Sequence, residues 1–150
     1  MIDRIRRLWK NAAESPSQSR EHDVSLAIAA LMVEVMRMDD KLAKAEHSQI
    51  MLALEQRFGL SEVEIHALIE QARHETAKAN DLHRFTSQVV TGFPTEERIN
   101  IISELWRVAM ADGHVDAYEE QLIRRMADLV GLHHRQFIDA KIAAQRPPAS

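Results

Sequence analysis

The sequence predicts an all-α protein: a single-domain bundle of about seven helices in two pseudo-symmetric halves, preceded by a basic amphipathic helix. Three observations predict it. Apolar residues recur at helical spacing from residue 22 to 145, the pattern of helices that each bury one face. Gly and Pro number only four each in 150 residues, while 45% of the chain is hydrophobic, which suits a helical globule and not a turn-rich strand fold. A shift of 73 positions also lays much of the first half on the second.

Residues 1–13 form the first helix expected. Ile2, Ile5, Leu8 and Trp9 fall in one arc, and Arg4, Arg6, Arg7 and Lys10 take the rest. A basic, Trp-bearing helix of this kind docks on its own domain, on a protein partner or on an anionic membrane, with Arg4, Arg6, Arg7, Trp9 and Lys10 as the contact residues. Ser15-Pro16-Ser17-Gln18-Ser19 reads as a linker. The chain thus divides into a helix and linker over 1–20, a helical domain over 21–145 and a tail over 146–150.

From about His22 to Met38 the chain is apolar on most sides, which places that helix in the middle of the bundle. A helix over about 44–58 follows, with Ile50, Leu54 and Phe58 on one stripe, and Gly59 stops it in the left-handed conformation. Ser61 and Glu64 make a capping box for the next helix, whose inner face is Ile65, Leu68, Ile69 and Ala72. A break near Asn80-Asp81 precedes a shorter helix with Leu82, Phe85 and Val89 inward, ended by Thr91-Gly92-Phe93-Pro94. The next helix runs from Thr95 to about Ala111 and carries Ile99, Ile101, Ile102, Leu105, Trp106 and Val108. Another bears Leu122, Ile123, Met126, Leu129 and Val130 up to Gly131, and a last one reaches about Gln145.

The repeat is specific in its polar residues. The 73-residue shift pairs Ile28 with Ile101, Val35 with Val108, Asp39 with Asp112, Glu46 with Glu119 and Ile50 with Ile123; after a one-residue slip, Gly59-Leu60 pairs with Gly131-Leu132. Each half is a buried helix, an acidic turn, an amphipathic helix, a Gly-Leu stop and a further helix.

Composition excludes several classes of function. A net charge of −4 and a pI near 6.1 argue against a nucleic-acid binder, which needs a net basic surface. With no cysteine there is no thiolate site and no disulfide framework. No apolar run approaches the ~18 residues of a membrane span, and the N-terminus lacks a signal peptide's apolar core. A cytoplasmic protein is expected.

The acidic turn Asp112-Gly113-His114-Val115-Asp116-Ala117-Tyr118-Glu119-Glu120 has two readings. As structure, Asp112 and Gly113 close one helix, Asp116 caps the next, and Glu119 completes a capping box. As chemistry, Asp112, His114, Asp116, Glu119 and Glu120 set oxygen donors and one nitrogen on a short segment, which a calcium-type divalent cation would use if Asp39, Asp40 and Glu46 of the first turn joined them. The spacing is not that of an EF-hand.

The run Ala-Met-Ala-Asp-Gly-His-Val-Asp, then Glu-Glu and an Ile-Arg-Arg helix ending Leu-Val-Gly-Leu, resembles the tellurite-resistance TerB-like family. The similarity covers roughly residues 22–142. It implies an all-helical bundle with pseudo-twofold halves, and an association with tellurite resistance and wider stress responses at the bacterial envelope. Acids of the family's turns have been considered metal ligands, here Asp112, Asp116, Glu119 and Glu120. In the first turn Asp40 replaces the usual glycine and Ala43 the capping acid. The basic first helix suggests a stand-alone member of such a family and not the resistance protein proper, and its amphipathicity would place the protein at the periphery of the inner membrane where that helix meets lipid.

Glu62, His66, Glu70 and His74 lie four apart on the outer side of their helix, where a solvated face explains them as well as zinc does. No phosphate loop, His-Glu-x-x-His or nucleophile elbow is present. The expected function is a non-catalytic interaction module with a protein partner, the alternative a divalent-cation binder using the acidic turns.

Overall fold

The computed structural model describes residues 16–37, 43–78, 82–111, 113 and 115–146, with the side chains of 16–22, 37, 43–46 and 78 outside that description. Seven helices run through these residues: α1 (Pro16–Arg37), α2 (Ala43–Phe58), α3 (Glu62–Lys78), α4 (Leu82–Gly92), α5 (Thr95–Ala109), α6 (Ala117–Leu129) and α7 (His134–Gln145). No strand occurs among the described residues. The arm residues Arg4, Arg6, Arg7, Trp9 and Lys10 lie outside them, as do Asp39, Asp40, Asp112, His114 and the side chain of Glu46.

α1 is the axis of the bundle. Ala27 through Val33, and Val35, are fully buried, and the helix packs against α2, α3, α4, α5 and α6. A helix surrounded in this way must be apolar on most sides, and from Leu26 to Met36 only Glu34 is polar. Each large aliphatic side chain it buries contributes about 1.5–3 kcal/mol. One expectation needs correction: α1 begins at Pro16, so residues 16–19 are its first turn and not a linker. Proline at the first helical position loses no hydrogen bond, because that N–H has no intrahelical partner, and its fixed φ already suits the helix.

The two halves share a plan. α1 packs on α3 as α5 packs on α7, and α1 meets α2 as α5 meets α6. Gly59 (φ 64°) and Gly131 (φ 80°) both end their helices left-handed, and Leu60 and Leu132 behind them are both buried. The next helices start alike. Ser61 N–H donates to Glu64 Oε1 at 2.8 Å, and Glu64 N–H to Ser61 Oγ at 3.2 Å. At the matched place His133 N–H donates to Gln136 Oε1 at 2.8 Å. The repeat in the sequence is therefore a repeat in space.

α4 has no counterpart among the described residues. It lays Phe85, Thr86 and Val89 in the seam where α1 and α6 meet it. α4 ends at Gly92, as read from the sequence, and the glycine also permits close approach: a Cβ there would lie 2.9 Å from Val24 Cγ2 of α1. Trp106 of α5, 1% exposed, and Phe137 of α7 join the second pair of helices, their ring centroids 5.5 Å apart.

Candidate functional site

The acidic turn grows out of the end of α5. Met110 N–H donates to Trp106 O at 2.8 Å, and Gly113 N–H to Met110 O at 2.8 Å. That second bond folds the chain back through a left-handed Gly113, φ 86°. Val115 then packs on the edge of the core. Asp116 adopts an extended conformation as the N-cap of α6. Its Oδ1 accepts from Glu119 N–H at 2.8 Å, and Glu119 Oε1 accepts from Asp116 N–H at 3.3 Å. The capping box read from sequence is therefore present, with Glu119 fully buried.

Glu120 takes no part in the capping box. Its Oε1 stands 3.5 Å from Lys141 Nζ of α7, and the same ammonium lies 5.1 Å from the centroid of the Trp106 ring. All three described acids of the proposed ligand set, Asp116, Glu119 and Glu120, thus have partners within the fold. Among the described residues no group of three or more His, Asp and Glu side chains is placed to hold a metal ion.

Beside this turn lies a cleft of about 470 Å³ between α2, α5 and the end of α7. Leu52, Ala53, Met110, Ala111 and Ala144 supply its apolar lining, with Gln49, Gln56, Glu104, Arg107 and Arg146 around them. Leu52 is 46% exposed, and Met110 and Ala111 lead directly into the acidic turn. The volume is in the range of small-molecule and peptide-anchor pockets.

One wall of the cleft is held by charges. Arg57, at the end of α2, donates from Nε and Nη2 to Glu104 of α5, the shortest contact 2.7 Å. Its Nη1 donates to Glu97 at 3.2 Å. Arg57 and Glu104 are only 12% and 16% exposed. Burial lifts the Glu104 carboxyl above its ordinary range, while Arg57 and Arg107 pull it back. The sequence carried a faint signal of this, since Glu104 sits between buried Ser103 and Leu105 on the most apolar stretch of α5. Its partner 47 residues away could not be read.

The same contacts orient the helices. Arg57 reaches Glu97 and Glu104, whereas Gln49 and Leu52 share the cleft with Arg107 and Met110. α2 and α5 are therefore antiparallel, and the start of α2 and the end of α5 lie at one end of the bundle. Those are the ends from which the chain runs into 38–42 and 110–116.

The profile of the TerB family, described as tellurite resistance protein TerB, matches residues 25–142. The chain belongs to the TerB family. Nothing among the curated proteins or the solved structures matches it. The TerB match opens at Ser25, where α1 enters the core, and closes within α7, so it takes in both halves and the acidic turn. The basic arm stands before it. Among the described residues no helix is long and apolar enough to cross a membrane.

Proposed function

We propose that this TerB protein is a non-catalytic interaction module of a stress-response pathway, tellurite or envelope stress being the association its family carries. The observation that supports it best is the cleft between α2, α5 and α7. It offers the exposed Leu52 and a shallow apolar floor to a protein side chain, and it runs into the acidic turn. A protein partner contacts the cleft, and the basic arm, through Arg4, Arg6, Arg7, Trp9 and Lys10, meets a second surface on a partner or on the inner membrane. The test is a pull-down with the full chain, with Leu52→Glu and with residues 1–13 deleted, each first shown by circular dichroism to be folded. The expected result is loss of specific partners in one or both variants. An identical partner list in all three refutes the proposal.

A second reading is divalent-cation binding at the acidic turns. The antiparallel packing of α2 and α5 favours it, because it brings the helix ends next to both turns to one end of the bundle. Asp39, Asp40 and Glu46 would then join Asp112, His114, Asp116, Glu119 and Glu120 around a calcium-type ion. Against it, Asp116 and Glu119 would have to leave their capping box. Calorimetric titration with calcium and magnesium decides: a folded protein that gives no heat at millimolar ion rejects this reading.

A further inference from the structure

The histidines offer a site that neither reading uses. His66 of α3 was expected on a solvated face with Glu62, Glu70 and His74, and all four are exposed. What the sequence does not place is His47, on the second turn of α2. Its ring lies against that of His66, with centroids 5.7 Å apart and planes inclined by 33°. Glu62, one turn before His66, puts Oε1 3.9 Å from His66 Nε2.

We infer that His47 and His66 are a two-imidazole chelate across α2 and α3 for a nitrogen-seeking divalent cation such as zinc, nickel or copper. With metal–nitrogen bonds of about 2.0–2.1 Å, two imidazoles on one tetrahedral ion set their ring centroids roughly 5 Å apart. The observed separation of 5.7 Å is close to that. The two rings come from different helices, so the pair is held by the α2–α3 packing and not by local sequence. Side-chain exposure of 52% at His66 leaves the ion a path from solvent and open positions for water.

Two acids and one arginine surround the pair. Glu62 faces His66, and Glu70 acts on His47. Both carboxylates stand one helical turn from His66. Burial, His66 and Arg73 together lower the proton affinity of His47 against the opposing pull of Glu70. Imidazole ligands select zinc, nickel and copper over calcium and magnesium, which separates this site from the acidic turns.

The experiment is calorimetric titration of the full chain with zinc and with nickel, compared with His47→Ala, His66→Ala and His74→Ala. Millimolar calcium is added in a second series. The expected result is one site, weakened at least about tenfold by either His47→Ala or His66→Ala and unchanged by His74→Ala or by calcium. Zinc should also raise the melting temperature of the wild type, because it ties α2 to α3, and leave that of His47→Ala unmoved. Three outcomes overturn the proposal: no binding by the folded wild type, binding lost with His66→Ala but kept with His47→Ala, or binding displaced by calcium. The last would assign the ion to the acidic turns instead.

Discussion

Removing Arg57 tests how the cleft wall is held. The guanidinium makes three contacts to Glu104 and one to Glu97. Glu97 is 44% exposed, so water replaces Arg57 there at little cost. Glu104, 16% exposed, has no such replacement. Arg57→Met therefore leaves a largely buried carboxylate without its main counter-charge, a change that costs up to about 3–5 kcal/mol, the loss when one partner of a fully buried pair is removed. Arg57→Met with Glu104→Leu removes both charges, and the double variant should recover most of that loss. The pH dependence has a definite sign. Burial already raises the Glu104 carboxyl in the folded state, and losing Arg57 raises it further. A carboxyl raised by folding favours the folded state below its unfolded pKa, and that contribution is lost as pH rises through the folded pKa. The single variant should accordingly be weakest at neutral pH and regain stability on acidification, relative to wild type. Urea unfolding followed by circular dichroism, at neutral and mildly acidic pH, measures both effects. Equal losses in the single and double variants, or a deficit that does not shrink in acid, would refute the reasoning.

Other perturbations follow from the same geometry. Gly131→Ala puts a side chain at φ 80°, with its Cβ 3.1 Å from Arg98 Nη1. It should cost about 1–2 kcal/mol from the backbone alone, plus part of the Arg98 bond to Val130 O. Gly113→Ala, at φ 86° with nothing within 4 Å of the added Cβ, should lose the backbone term only, so a smaller loss in chemical denaturation is expected. Gly92→Ala forces α4 away from Val24 and should destabilise by about 1–3 kcal/mol, as overpacking does; Gly92→Ala with Val24→Ala should be less damaging than the sum of the two. Asp116→Ala removes an N-cap and should cost about 0.5–2 kcal/mol, whereas Glu120→Ala breaks an exposed pair worth about 0–1 kcal/mol. His47→Gln should flatten the fall in stability on mild acidification. A histidine whose proton affinity is lowered by folding stabilises above its unfolded pKa, about 6.5, and that contribution is lost as pH falls through the folded value.

By itself the sequence determined the helices, their order, their burial and the internal repeat. These are local or periodic properties. Gly59 and Gly131 stop helices because glycine alone takes a left-handed turn without strain. Asp116 and Glu119 cap α6 because three residues bring a side chain back to its own backbone. The run from Leu26 to Val33 has to be central because it has no polar side to offer water. The start of α1 was misread, since Ser-Pro-Ser suggests a linker until proline is placed at the first helical position, where it suits the helix.

What only the tertiary structure decided are contacts between residues far apart in the chain. Arg57 with Glu104, Lys141 with Glu120 and His47 with His66 carry no periodic signal, because which exposed faces of two helices meet depends on how both halves close around α1. The same closure set α2 antiparallel to α5, opened the cleft beside the acidic turn and gave Glu120 a counter-ion. It also made Gly92, the helix stop its local sequence shows, a point of helix contact. Periodicity tells a helix which side to bury, and only the packed bundle tells a charged residue which partner it will face.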